Sequence, residues 1–203
     1  MSSLAEREKQ LLLQIARSAL ALGVAAGADS AAGAGNKSPL LDFPNEEFLQ
    51  QPAGAFVTLH RRGRLRGCVG QLPGRDSLAA VVAHCACAAA LDDSRFEPVT
   101  SAELSEIDIE VSVLSALEDV TPQAIEPGKH GLLLSRGMQR GVLLPQVASQ
   151  FKWGAQRFLE ETCVKAGLDR DAWRDPATRV QAFTAEVFSE AGFASPPQRA
   201  QSS

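Results

Sequence analysis

The chain contains no P-loop, no GxGxxG after a strand pattern and no GxSxG, so neither a phosphate-cradling loop nor an α/β-hydrolase elbow is indicated. Its four cysteines, at 68, 85, 87 and 163, include no CxxC pair and have no secretory context, which reads as reduced thiols rather than bridges. The start carries Glu6 and Glu8 and no apolar core, unlike a secretory signal. The longest apolar run, residues 78–91, is broken by His84 and falls short of the roughly 20 residues a bilayer span needs. No excess of one charge exists: 20 Lys and Arg against 24 Asp and Glu give a net charge of −4. A global attraction to nucleic acid or to an acidic membrane is therefore excluded, and nucleic acid is not an expected partner. No repeat is visible, and the reading is of a cytoplasmic protein without a membrane segment.

What is present is a chain of 203 residues, enough to bury roughly 70% of its unfolded surface without metal or disulfide staples. Residues 4–25 carry Leu11, Ile15, Ser18, Ala19 and Leu22 at helical spacing, and the small residues 27–36 read as a flexible loop. Residues 77–91 are apolar almost all round, predicting a buried helix capped by Asp76 or Ser77. Residues 107–114 alternate as an antiparallel strand, with Ile107, Ile109, Val111 and Val113 inward and Asp108, Glu110 and Ser112 outward. A second hairpin follows over residues 129–144, turning through Ser135 to Arg140, then helices over 145–151 and 155–167, one last strand over 179–190 and a disordered tail over 195–203. Strands and helices mix without βαβ alternation. The expectation is an α+β fold, mainly antiparallel with flanking helices, as a single two-lobed domain over 1–194.

The unusual stretch is Gly63-Arg64-Leu65-Arg66-Gly67-Cys68-Val69-Gly70. With the apolar run 55–60 before it, it predicts a hairpin. A three-residue loop would set His60 against Arg64, Thr58 against Arg66 and Phe56 against Cys68. Val57, Leu59, Leu65 and Val69 then face the core, and Thr58, His60, Arg64, Arg66 and Cys68 share the other face. Glycine weakens a strand interior, so Gly67 requires a bulge or a close approach, and a bulge would shift that register. The plain alternative is that Cys68 is one more small buried hydrophobe.

Leu65-Arg66-Gly67-Cys68-Val69-Gly70 resembles the signature hexapeptide of the AmmeMemoRadiSam system protein A family, the domain also found in the human AMME-syndrome candidate region protein. Asp93-Ser94-Arg95-Phe96, Glu110-Val111-Ser112-Val113-Leu114, Gly128-Lys129-His130-Gly131-Leu132, Leu144-Pro145-Gln146-Val147-Ala148 and Lys165-Ala166-Gly167-Leu168 resemble further family blocks in order. The departures are Val69, where isoleucine is usual, and Ser94, where proline is common. The resemblance implies a two-lobed α+β domain of unestablished biochemistry, in a pathway with Memo-type and radical-SAM proteins.

In chemical terms Cys68 is the candidate nucleophile and Arg66 its candidate activator. A guanidinium about 6 Å from a thiolate contributes roughly 2.8 kcal/mol at an effective dielectric near 20, but only about 0.7 in water. The pair therefore needs a shared, partly dry cleft. On the plain register His60 lies about 13 Å along the strand and is set aside as a base; His130 is preferred, with His84 as the alternative. Arg64, Gly67, Gly70, Asp93, Arg95 and Glu110 complete the candidate binding set, with Asp93 and Arg95 also readable as a structural ion pair. His84 and Cys87 share a helix face, but Cys85 points about 100° from His84, so no metal site is assigned. No cofactor is expected. Two functions remain: an enzyme component acting on a small substrate at a Cys68/Arg66 cleft, or a non-catalytic protein- or nucleic-acid-binding module using the basic hairpin 60–66.

Overall fold

The structure, a computed structural model, describes residues 3–29 and 43–193. Most of the predicted loop 27–36 and the whole predicted tail 195–203 lie outside the described residues. The chain divides into two compact units, one formed by residues up to Val113 together with those from Val187, the other by Leu114–Glu186. The architecture is α+β with two four-stranded antiparallel sheets, as expected.

In the first unit, helix α1 (Glu6–Asp29) is followed by a short helix α2 (Glu47–Gln50) and the hairpin β1 (Gly54–Arg61) and β2 (Arg64–Gln71). Helix α3 (Leu78–Leu91) comes next, then a 3-10 turn (Ser101–Glu106) and strand β3 (Ile107–Leu114). The sheet runs β2-β1-β3-β8, with β8 (Ala185–Ser189) arriving from the far end of the chain. α3 is apolar on nearly every side because it is buried on nearly every side, and Ser77 caps it by accepting a hydrogen bond from the Ala80 amide. Ile107, Ile109, Val111 and Val113 join Val57, Leu59 and the α3 side chains in one core.

α1 is long and apolar enough, by length and composition, to cross a bilayer. Here Leu12, Leu13, Ala16, Ala19, Leu20 and Val24 are packed into that core. The buried stripe is rotated from the predicted one, since Ser18 and Leu22 are exposed. Arg17 ties the helix down: its guanidinium donates to both carboxyl oxygens of Glu190 and to the carbonyls of Leu104 and Ile107.

The second unit holds β4 (Glu118–Asp119), β5 (Gly131–Arg136), β6 (Gln139–Leu143), helix α4 (Pro145–Gln150), helix α5 (Ala155–Lys165) and β7 (Arg179–Phe183), with sheet order β4-β7-β5-β6. Leu132 and Leu134 of β5 and Phe158, Leu159 and Cys163 of α5 form its core. Three expectations are corrected. The predicted last strand is two strands, β7 and β8, in different sheets, followed by a helical turn α6 (Glu190–Phe193). Ser112, expected outward, is 1% exposed. The second hairpin turns through two residues, Gly137 and Met138, because Arg136 pairs with Gln139.

Candidate functional site

The first hairpin turns on two residues, with Arg61 opposite Arg64. Arg62 and Gly63 both have positive φ, 52° and 73°, the mirror-image turn whose twist suits a two-residue hairpin. His60 then pairs with Leu65, but Leu59 pairs with Gly67, leaving Arg66 as the extra residue of a β-bulge. This changes the predicted faces. Cross-strand partners share a face, so Cys68, paired with Thr58, lies with Phe56, Gly70, His60 and Leu65. Leu65, expected in the core, is 42% exposed. Gly67 turns toward α3, and Arg66 and Arg64 lie on the side of Arg61.

The consequence for Arg66 is direct. Its Nε donates to Glu103 Oε1 at 2.9 Å and a terminal nitrogen to Oε2 at 3.2 Å, while the carbonyls of Glu97 and Pro98 accept at 2.8 and 3.3 Å. Arg61 reaches the same carboxylate at 2.9 Å. Glu103 is itself held by the Thr100 amide and hydroxyl in a capping box. With the Arg66 guanidinium as first cause and the Thr100 donors adding to it, the Glu103 carboxyl is lowered to about 2. The predicted cleft shared by Arg66 and Cys68 is therefore replaced by an arginine knot on the other side of the strand. Thr100 and Glu103, missed in the sequence, carried a legible signal in their Thr-x-x-Glu spacing.

The guanidinium that contacts Cys68 is that of Arg95. The Cys68 amide donates to Asp93 Oδ2 at 2.9 Å, and the Cys68 carbonyl accepts from Arg95 at 3.3 Å. Asp93 and Arg95 are joined at 2.6 Å, so one ion pair satisfies both outward-facing main-chain groups of Cys68 at the sheet edge. Asp93, its side chain 7% exposed, is held well below the usual carboxylate range, first by Arg95 and then by the Cys68 amide. The Cys68 side chain is half-buried and receives a hydrogen bond from Thr58 Oγ1 at 3.4 Å. Cys85 and Cys163 are fully buried, and desolvation pushes Cys85 up to about 12 and half-buried Cys87 to about 11.

The glycines have packing reasons. A Cβ on Gly67 would sit 2.0 Å from the Ala89 carbonyl oxygen of α3, and one on Gly70 2.0 Å from the Phe56 ring. Glu110 lies on the same side of the sheet as Cys68, is half-buried like it, and has no polar partner among the described residues. His130, the preferred base, belongs to the second unit, where its Nδ1 accepts from the Glu126 amide at 3.1 Å. It lines a hollow of about 230 Å³ with Ser115, Glu118 and Thr184. His84 is exposed, while Cys85 and Cys87 point to the carbonyls of Ala55 and Ala19.

Fold and site together define an α+β protein that presents one clamped, half-open cysteine from the edge strand of an antiparallel sheet. The chain belongs to the AMMECR1 family, whose profile matches residues 13–188. A protein of Methanothermobacter thermautotrophicus is 42% identical over 165 residues, covering 78% of this chain and 86% of that one. Protein TK0174 of Thermococcus kodakarensis is 44% identical over 164 residues, covering 75% and 78%. The crystal structure of the uncharacterized protein PH0010 from Pyrococcus horikoshii is similar with a TM-score of 0.75 and 37% identity, covering 88% of this chain and 89% of that one.

Proposed function

We propose that this protein is a component of an enzymatic pathway, binding or transforming a small molecule on the open face of the first sheet with Cys68 as the contacting or reacting group. The observation that carries this reading is that both main-chain polar groups of Cys68 are clamped by Asp93 and Arg95 while its side chain stays half-open. A thiol held in a fixed strand position loses little freedom when it meets a ligand. Arg66 serves here by holding the strand from the opposite side. The family resemblance supports pathway partners of the Memo and radical-SAM types.

The alternative, docking through the basic hairpin, has less support because its charges are spent. Arg61 and Arg62 pair with Glu106, and Arg61 and Arg66 with Glu103, leaving Arg64 as the unpaired arginine of that hairpin among the described residues. The test is alkylation by iodoacetamide, mapped by mass spectrometry. Cys68 is expected to react first of the four cysteines and faster at pH 7 than a cysteine in an unstructured peptide. A Cys68 no more reactive than that peptide overturns the reading. Co-purification with Memo-type and radical-SAM partners, with mass spectrometry of any retained small molecule, tests the pathway.

A further inference from the structure

The bulge that takes Arg66 away from Cys68 brings His60 toward it. With Thr58 opposite Cys68, His60 is two residues along β1 on the same face, a diagonal neighbour at about 7 Å rather than about 13 Å. That separation lies within reach of an imidazole and a thiol after side-chain rotation, and such pairs are commonly loose before a substrate binds. His60 makes no hydrogen bond or ion pair with any described residue. Thr58, between the two, already donates to the sulfur.

From this arrangement we infer that His60 is the acid–base partner of Cys68 and that the pair acts on an uncharged electrophilic carbon. The inference rests on the thiol reading above. His60 takes the proton from Sγ, the sulfur pair forms the S–C bond, and the displaced electron pair moves to the acceptor atom of the substrate. That atom receives the proton back from the imidazolium, so the step balances without another reactant. The charge on the face selects the substrate class. Arg95 is neutralised by Asp93, and Arg64, opposite Arg61, lies on the other side of the strand. On β3, Asp108 accepts from the Ala191 amide, and Glu110 remains as an uncompensated carboxylate. An anionic substrate finds no unpaired Lys or Arg on this face among the described residues and meets Glu110.

The experiment compares wild type, Cys68→Ser and His60→Gln for alkylation at Cys68 by iodoacetamide and by anionic iodoacetate, with Cys87 labelling as a reporter that α3 is still packed. The expected result is a loss of about a hundredfold or more in the iodoacetamide rate on His60→Gln, the low end for removal of an acid–base group, with partial restoration by added imidazole. The preference for iodoacetamide over iodoacetate should exceed that of a free thiol. A reactive wild-type Cys68 whose rate is unchanged in His60→Gln overturns the His60 assignment and leaves the thiol reading standing. A lowered rate without imidazole rescue also overturns it, because a structural role would not respond to the free base. Equal discrimination by Cys68 and a free thiol overturns the substrate class.

Discussion

Replacing Gly67 with alanine places a methyl carbon 2.0 Å from the carbonyl oxygen of Ala89 and 3.0 Å from its carbonyl carbon. Restoring an ordinary contact near 3.4 Å requires β2 and α3 to separate by about 1.4 Å, since neither partner is a side chain that can swing away. α3 cannot yield freely: Ala86, Ala89 and Ala90 are at most 3% exposed and pack into the same core as α1 and β1. Overpacking of this kind costs about 1–3 kcal/mol, and a backbone clash belongs at the upper end. The smaller entropy of an unfolded alanine returns about 0.4–1 kcal/mol, leaving a net loss near 2 kcal/mol. For a chain of this size that lowers Tm by about 4–8 °C. Thermal and urea unfolding followed by circular dichroism give the measurement. Gly63→Ala is the internal comparison: it is strained by φ of 73°, but nothing lies within 4 Å of its Cβ. It should cost about 1–2 kcal/mol and leave β2 in place. A Gly67→Ala protein within about 0.5 kcal/mol of wild type, the range of an ordinary surface change, would refute the close approach of strand and helix.

Glu103→Gln should cost about 2 kcal/mol at neutral pH by weakening charge-assisted bonds to Arg61 and Arg66. Because the folded carboxyl is lowered from 4.5 to about 2, this stabilisation is complete above 4.5 and fades as pH falls toward 2, where the urea curves of variant and wild type should converge. Asp93→Ala removes the acceptor for the Cys68 amide, and hydrogen exchange at that amide should accelerate about tenfold, corresponding to loss of roughly 1.4 kcal/mol of local protection; unchanged exchange would remove the clamp from the argument. In the second unit, Gly141→Ala drives a Cβ to 2.4 Å from the Ala166 amide nitrogen and 2.6 Å from the Thr162 carbonyl oxygen. A destabilisation of about 2 kcal/mol is expected by calorimetry.

Elements whose own side chains determine their burial were legible in the sequence. Strand β3 matches the alternation of residues 107–114, and α3 matches the apolar run after Ser77, because one face or all faces had to enter a core. Residues 179–190 carry no proline or glycine to divide β7 from β8, and the change of sheet between Phe183 and Ala185 is made by long-range pairing. Ser112 looked solvent-facing because alternation reports which side a residue takes, and says nothing of what covers that side. The stripe on α1 was misjudged by one position for a similar reason. Leu11, Leu12 and Leu13 are equally apolar, and only the partners of Leu12 and Leu13 decide which of them is buried.

The site turns on a single inserted residue. Counting the hairpin with period two joins Arg66 to Cys68 and separates both from His60; with Arg66 as a bulge, the motif divides between the two faces of its strand. Arg66 and Gly67 then look inward, toward Glu103 and toward the backbone of α3, where an arginine fork and the absence of a Cβ are each required by a neighbour. Cys68 looks outward with Thr58, and its half-buried sulfur meets one side-chain hydrogen-bond partner among the described residues, the Thr58 hydroxyl, which serine could meet as well. Within Arg66-Gly67-Cys68, two residue types are therefore explained by packing and one is not. That asymmetry directs the search for chemistry to Cys68 and to whatever shares its face, and the same register that removes the arginine supplies the imidazole of His60 in its place.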